Sequence, residues 1–376
     1  MPKHKEAHMP DLNGKIRYAV VGGGSISQGA FMPGVGQTEN SILTALVTGD
    51  PVKADKLAKR YALKSYSYTQ YRELLASGEI DAVYVATPNF MHREFVVPAL
   101  EAGIHVLLEK PMASNEDDCK AMRAAAQRSN AKFMIAYRLH SEPGTLEMIE
   151  RVHAGDFGQP RLFTSTFTQT VKPTNHRMQN GFAAGPVLDM GPYPLNMVRQ
   201  LLGEEPIEVS AVGTTAPDST LGTPDTVSVC LRFSGDRMAQ FTISYTLPSS
   251  ERFQLIGTKG EIEASPCFGY GEGVGITYRA TVGDQTKEHS HPVLDQFAGE
   301  TAYFSDCILS DSMPEPGGEE GFRDVRVLLV VERALATGQP QKLDALPAKA
   351  VPGANQTRRY ALAKVPDYID TESPTE

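Results

Sequence analysis

The sequence has no tryptophan and only four cysteines, Cys119, Cys230, Cys267 and Cys307. They lie far apart, with no C-x-x-C pair and no nearby histidine spacing, which excludes a zinc module and a disulfide framework. Free thiols of that kind fit a reducing cytoplasm. No apolar run is long enough to span a bilayer. The polar opening, MPKHKEAHMPDLNGK, lacks the apolar centre of a signal peptide. An excess of basic charge is missing too. The net charge is −9, which argues against a nucleic-acid backbone as main partner, since phosphate binding needs a basic surface. A small substrate stays compatible, because a pocket can be locally basic inside an acidic protein. No internal repeat or low-complexity tract stands out.

What is present is a soluble, globular composition, 41% apolar and 22% charged, on 376 residues. That length is too great for one ordinary core and suits two domains. Residues 16–24 (IRYAVVGGG) form an apolar strand running into glycines, the pattern of a buried parallel strand ending in a tight turn. Further strands are expected at 42–47, 82–86, 105–108 and 132–136, separated by helices at 52–61, 71–76, 94–102 and 116–129. This alternation predicts βαβ units, hence a doubly wound parallel sheet with helices on both faces. The character changes near Glu142-Pro143-Gly144. After a helix at 145–153 come Thr- and Val-rich segments at 161–169, 208–214, 226–233, 238–245, 253–257 and 261–264. Several of them alternate apolar and polar residues, as in an antiparallel sheet with one exposed face. A last helix is expected at 322–336 and an extended, proline-containing tail after Gly338.

The turn after the first strand, Gly22-Gly23-Gly24-Ser25-Ile26-Ser27, matches G-x-G-x-x-G except at its last position. The first two glycines let the chain turn tightly and the backbone approach a pyrophosphate; Ser27 is small enough for the third role, close strand–helix packing. About twenty residues on, an NAD-binding domain usually places an acid on the ribose hydroxyls. Here Thr48 holds that place, followed by Gly49 and Asp50, with Lys53 within reach. A hydroxyl beside an ammonium suits a 2′-phosphate, which favours NADP over NAD. If the turn presents Asp50 instead, NAD is favoured; Asp50-Pro51 also reads as a helix N-cap with proline at N1.

Glu109-Lys110-Pro111, with ATPNFMH (86–92) before it and GPVLDMGPYPLN (185–196) after it, carries a specific resemblance. The chain resembles the glucose–fructose oxidoreductase / inositol dehydrogenase / MocA family from about residue 15 to 345, including QFAGETAYFSDCI (296–308) and EEGFRDVRV (319–327). The resemblance implies a Rossmann domain, which the change of character near Glu142 bounds at 15–141, after a polar leader (1–14). It implies a substrate and oligomerisation α/β domain with a large, open, mainly antiparallel sheet over 142–345, and an extended tail over 346–376. It implies a homodimer or homotetramer through that sheet, and an oxidoreductase acting on a sugar or cyclic polyol. The EKP lysine, here Lys110, lies beside nicotinamide and substrate in such enzymes. The D-x-G-x-Y/H pattern falls on Asp189, Gly191 and Tyr193, and the tyrosine resembles the glucose–fructose oxidoreductase, dihydrodiol and xylose dehydrogenase side.

Chemistry supports that set. Oxidising a secondary alcohol sends a hydride to nicotinamide and a proton to a base. A phenol and an ammonium both have reference pKa values near 10; placed together, the cation favours the phenolate and brings proton transfer toward neutral pH. Tyr193 is therefore expected to transfer the proton, with Lys110 as hydrogen-bond donor and electrostatic support and Asp189 as orienting group. Lys110 and Tyr193 could exchange those roles. Pro192 and Pro194 bracket the tyrosine, suit a first helical turn, and restrict Gly191 and Tyr193 away from α geometry. Thr87, Pro88, Asn89 and His92 should line the nicotinamide side at a strand's C-terminal end. Tyr71 either flanks the adenosine phosphate or packs in the core. Arg138 supports the site from the last Rossmann strand, and Asn175 and Arg177 are candidate substrate ligands, with a plain surface role for Arg177 equally open. No residue set implies a metal. Two other readings share the fold: a sugar–sugar oxidoreductase with tightly held NADP, and a non-catalytic dinucleotide sensor, against which the retention of Lys110, Asp189 and Tyr193 speaks.

Overall fold

Six short apolar runs build the first sheet: β1 (Ile16–Val21), β2 (Ser41–Val47), β3 (Lys64–Tyr66), β4 (Ala82–Val85), β5 (His105–Glu109) and β6 (Phe133–Ala136). The structure is a computed structural model describing residues 14–347, 349 and 351–375; the leader expected at 1–14 lies outside the described residues except for Gly14. β1, β4 and β6 are buried at every position, as strands covered on both faces must be. All neighbours pair in parallel in the order β3-β2-β1-β4-β5-β6. In that doubly wound order the direction of winding reverses between β1 and β4, where ligands of such sheets bind.

The helices between these strands start where local chemistry allows. Helix Pro51–Tyr61 opens on Asp50, whose carboxylate accepts hydrogen bonds from the Val52 and Lys53 amides, and closes on Ala62 at φ 54°. After the glycine turn, helical turns of the wide π type run over Ser27–Phe31 before α geometry over Met32–Val35. Pro33 has no amide hydrogen to give the preceding turn, and the Met32 amide reaches back to the Ser27 carbonyl.

The chain forms two compact units. The first joins the described residues up to Arg138 with Asp295–Phe322 and Arg358–Glu372; the second comprises Leu139–Leu294 and the described residues of 323–357 and 373–375. Segments 295–322 and 358–372, assigned from sequence to the second domain and the tail, thus cluster with the nucleotide-binding unit. Helix Gln296–Leu309, not expected from periodicity, is buried on almost every side, so it shows no amphipathic stripe. Its Phe304 and Cys307 join the core formed by Ile16, Tyr18, Phe31 and Tyr84.

In the second unit, β7 (Pro160–Thr170), β8 (Glu208–Thr214), β9 (Thr226–Arg232), β10 (Met238–Ser244), β11 (Thr246–Gly257), β12 (Gly260–Ala264), β13 (Thr277–Val282), β14 (Gln285–Ser290) and β15 (Gln341–Lys342) make a nine-stranded sheet. The order is β14-β13-β12-β11-β7-β10-β9-β8-β15, antiparallel throughout except for the β7–β10 pair. Alternation sets the faces. Val227, Val229 and Leu231 of β9 oppose Ile243, Phe241 and Ala239 of β10 in a buried layer. On the other face the Ser228 and Thr242 hydroxyls bond each other at 2.8 Å. Residues of the helices Pro143–His153 and Pro192–Leu202, and of 323–337, share the apolar core with the buried layer.

Candidate functional site

Two groups of candidate residues form, one in each unit. In the first, the glycine turn is built for close approach. Gly22 has φ 102°, and a Cβ there would stand 2.7 Å from the Ala86 carbonyl oxygen, so β1 and β4 meet with no room for a side chain. A Cβ on Gly24 would meet nothing within 4 Å, leaving the outer side of the turn open. Ser27, which replaces the usual third glycine, donates its hydroxyl to the Gly22 carbonyl at 2.6 Å and so closes the loop. Ser25 and Ile26 remain half-buried at the head of the helix.

The neighbouring strand ends add polar groups. Thr87 is buried and its hydroxyl has no hydrogen-bond partner, an orphan that a bound molecule would satisfy. Pro88 and Asn89 follow it, half-buried, into a single 3-10 turn. The Cβ position of Gly23 lies 3.7 Å from the Thr48 hydroxyl and 3.4 Å from Lys53 Cδ, so both converge on the turn. Asp50 is committed to its capping role, which holds its carboxyl below the usual range through the Lys53 amide bond. Tyr68, missed in the sequence, lies over Gly49, its ring 3.0 Å from where a Cβ would be. The spacing of Tyr66, Tyr68 and Tyr71 gives no sign of which one faces the turn. Tyr71 corrects one expectation: it is 3% exposed, donates to the Phe95 carbonyl at 3.0 Å and packs edge-on against that ring, so it is core. An open site of this polarity fits a dinucleotide.

Lys110 directly follows β5 and is joined to Pro111 by a cis peptide bond. Beside it, Glu109 accepts the Tyr84 hydroxyl at 2.5 Å, and burial pushes its carboxyl up against the pull of the Lys110 charge. Arg138 is buried and donates to Gln296. Glu300, on the same buried helix as Gln296, has no hydrogen-bond partner for either oxygen; burial and then the Glu109 charge hold its carboxyl well above the ordinary range.

His92 does not present a free edge to a ligand, contrary to the sequence expectation. Its Nε2 lies 2.9 Å from the Thr87 carbonyl oxygen and its Nδ1 3.1 Å from that of Met112, so the neutral ring donates its one N–H to one of these carbonyls and is wedged between the segments that follow β4 and β5. Burial pushes its pKa down to about 4, and His105 falls to about 4 for the same reason. The folded state therefore leaves these rings unprotonated between pH 6.5 and 4 while the unfolded chain protonates them. Stability is fully present above pH 6.5 and lost as pH falls toward 4, by about 3 kcal/mol for His92. Thermal melts should drop across that window, and His92→Gln should flatten the pH slope; an unchanged slope in the variant refutes the assignment.

In the second unit, Asp189 ends the single turn Pro186–Asp189 and Tyr193 is the second residue of helix Pro192–Leu202. Between them Gly191 is α-helical, at φ −54° and ψ −33°, although the residue before a proline is normally driven out of that region. A Cβ at Gly191 would meet the Val187 carbonyl oxygen at 2.2 Å, so glycine alone permits the join. Asp189 Oδ2 accepts from Arg177 Nε at 2.9 Å and from the Tyr245 hydroxyl at 2.9 Å. Asn175 in turn accepts the Arg177 amide at 3.0 Å. Asn175, Arg177 and Asp189 are thus brought together, and Arg177 is no plain surface residue. Tyr245 was missed, for a tyrosine at a strand end looks like any core aromatic. It is fully buried, and burial first and the Asp189 charge second hold its hydroxyl well above the usual range. Tyr193 packs edge-on against Phe167, ring centres 5.2 Å apart, with Phe268 at 5.9 Å.

Among the described residues no helix is long and apolar enough to cross a membrane, and no group of three or more His, Cys, Asp or Glu could hold a metal ion.

Comparison with known proteins places this arrangement. Residues 16–137 match the family described as "Oxidoreductase family, NAD-binding Rossmann fold", and residues 145–263 match the GFO/IDH/MocA C-terminal domain. The solved aldose–aldose oxidoreductase of Caulobacter crescentus, complexed with glycerol, is 33% identical, with a TM-score of 0.82 over 88% of this chain and 100% of that one. The NADP(+)-dependent D-xylose 1-dehydrogenase of Haloarcula marismortui is 28% identical over 340 residues, 88% of this chain and 93% of its own. The trans-1,2-dihydrobenzene-1,2-diol dehydrogenase of Bos taurus is 27% identical over 67% of this chain and 75% of its own. With both domains matched in order and a relative of that identity covered from end to end, the chain belongs to the GFO/IDH/MocA family of NAD(P)-dependent oxidoreductases.

Proposed function

We propose that this chain is an NADP(H)-dependent oxidoreductase of a sugar or cyclic polyol, with Tyr193 transferring the proton, Lys110 donating a hydrogen bond and Asp189 orienting the site. The observation that carries the reading is the Gly22–Ser27 turn seated on Ala86 at the switch point, beside the orphaned Thr87 hydroxyl, in the same sheet as the strand that Lys110 directly follows. When bound, the dinucleotide supplies the hydride donor or acceptor. The open backbone of Gly24, Ser25 and Ile26 holds the pyrophosphate, Thr48 and Lys53 hold the ribose phosphate, and Gly49 gives the backbone room. Thr87, Pro88 and Asn89 border the nicotinamide. His92 acts through the Thr87 and Met112 backbones, between which it is wedged, and Arg138 acts through its charge on Glu109.

On the substrate side, the proton leaving a secondary hydroxyl passes to Tyr193 Oη, and the Lys110 ammonium stabilises the developing oxyanion. Asp189, fixed by Arg177 and Tyr245, holds the start of the tyrosine's helix and keeps the Arg177 guanidinium in place for a substrate hydroxyl or carboxylate, with Asn175 beside it. A homodimer or homotetramer through the open face of the nine-stranded sheet goes with this reading, and light scattering on the purified chain tests it.

The first experiment is nicotinamide absorbance with NADP⁺ and then NAD⁺ against a panel of aldoses and inositols. Turnover that prefers NADP⁺ supports the reading; silence in protein that binds the dinucleotide favours a sensor. Because Asp50 is spent on its helix while Lys53 faces the turn, Lys53→Ala should raise the KM for NADP⁺ about tenfold, the worth of one charge-assisted contact, and leave that for NAD⁺ nearly unchanged. An equal rise for both cofactors refutes the 2′-phosphate role. One observation favours a second reading: the 33%-identical relative is an aldose–aldose oxidoreductase. Hydride transfer between two sugars with no free dinucleotide in the assay would establish it.

A further inference from the structure

We infer that residues 367–370, near the C-terminal end, are part of the cofactor-binding apparatus and clamp the phosphate-binding turn through Gln28; this rests on the dinucleotide reading above. Gln28 is the pivot. It is 1% exposed, and both amide hydrogens and the amide oxygen are used. Nε2 donates to the Gly23 carbonyl at 2.9 Å, inside the turn, and to the Ile369 carbonyl at 3.0 Å. Oε1 accepts the Ile369 amide at 2.8 Å. One side chain therefore pairs with both backbone groups of a residue 341 positions away and with the turn itself. Its own amide also bonds to the Gly24 carbonyl at 3.1 Å, so the same residue holds the turn from two sides.

Three more contacts fix the segment. The Tyr368 ring covers Gly29, where a Cβ would fall 2.3 Å from its hydroxyl oxygen. Lys56 pairs with Asp370 at 2.9 Å, and Arg60 Nη1 donates to the Asp367 carbonyl at 2.6 Å. Lys56 and Arg60 lie on helix Pro51–Tyr61, which also carries Lys53. Segment 367–370 thus bridges the two helices that follow the pyrophosphate turn and the Thr48–Asp50 turn. Lys56 and Asp370 are exposed and contribute little; the buried Gln28 bonds are the costly ones to lose.

Because Gln28 joins Gly23 to Ile369, opening the turn to release a dinucleotide disturbs the docked segment, and undocking it loosens the turn. Linkage is reciprocal: whatever the docked segment adds to dinucleotide affinity, the dinucleotide adds to docking. Gln28 is on this account a positioning residue, acting on the cofactor through Gly23.

The test follows NADPH fluorescence in stopped flow, with bound NADPH chased by excess NADP⁺, in the full chain and in a chain ending at Val365. Dissociation should become about tenfold faster in the shortened chain, whose folding is checked by circular dichroism. An unchanged rate in a folded shortened chain overturns the inference while leaving the oxidoreductase reading intact. Should the shortened chain not fold, hydrogen exchange at the Ile369 amide in the full chain decides: saturating NADPH should slow it, and no change overturns the inference. If the full chain binds neither NADPH nor NADH, both readings fall together.

Discussion

Lys110→Met is expected to lower kcat/KM for the sugar by about a thousandfold, within the range of a positioned proton-transfer or oxyanion-stabilising group, while the chain still binds the dinucleotide. The change keeps the length and apolar body of the side chain and removes only its charge and donors. Lys110 directly follows β5, beside the half-buried Glu109, so the sheet fixes the backbone that leads into it. Tyr193→Phe, in the aromatic setting of Phe167 and Phe268, keeps the packing and removes only the hydroxyl. Comparing the two variants assigns the roles. If Tyr193 transfers the proton, Tyr193→Phe abolishes the pH dependence of kcat, whereas Lys110→Met keeps a pH dependence at a much reduced rate. The reverse pattern exchanges the roles. Loss-free turnover in Lys110→Met would remove it from the chemistry altogether.

The parts of the fold that a sequence displays are those whose burial is one-sided or complete over a short run. β1 and β4 stand out because a parallel strand covered on both faces must be apolar throughout, and β9 and β10 because alternate residues face a core. Gly22 and Asp50-Pro51 are visible because tight turns and helix starts have few chemical solutions. Helix Gln296–Leu309 is obscured because it is buried almost all round. β14 is obscured because its residues, Gln285–Ser290, are polar and mostly exposed at the sheet edge. In the candidate site, Asp189 was identifiable from its pattern, yet its partner Tyr245 lies 56 residues away with nothing in its neighbourhood to mark it. Gln28 is a stronger case, for its value depends on Ile369, 341 positions distant. Pairings across such separations are set by topology, which a local pattern does not contain.

The largest expected effect on stability comes from a buried ionic network under the helix that carries Tyr193. Arg199, on Pro192–Leu202, pairs with Asp324 at 2.5 Å, their side chains 2% and 0% exposed. The same guanidinium grips Glu205 through two nitrogens, at 2.7 and 2.8 Å, and Glu205 also pairs with Arg323 at 2.9 Å. Asn196 donates to the second Asp324 oxygen at 3.1 Å, and its own carbonyl lies 2.7 Å from His140 Nε2. Among these described contacts, two positive and two negative side chains pair in buried surroundings. Asp324→Ala takes a buried carboxylate away from the Arg199 guanidinium, and breaking a buried pair from one side costs about 3–5 kcal/mol. In a unit of this size that lowers the melting temperature by about 10 °C. The double variant Arg199→Met, Asp324→Leu removes one charge of each sign and leaves Glu205 with Arg323. It should recover most of the loss, because apolar replacement of a whole buried pair is often neutral. Calorimetric melts of the two variants decide it: a double variant as unstable as Asp324→Ala would mean that the network's shape, and not its charge balance, holds the helix. Since Asn196 is three residues from Tyr193, kcat should fall in Asp324→Ala and return with the melting temperature in the double variant.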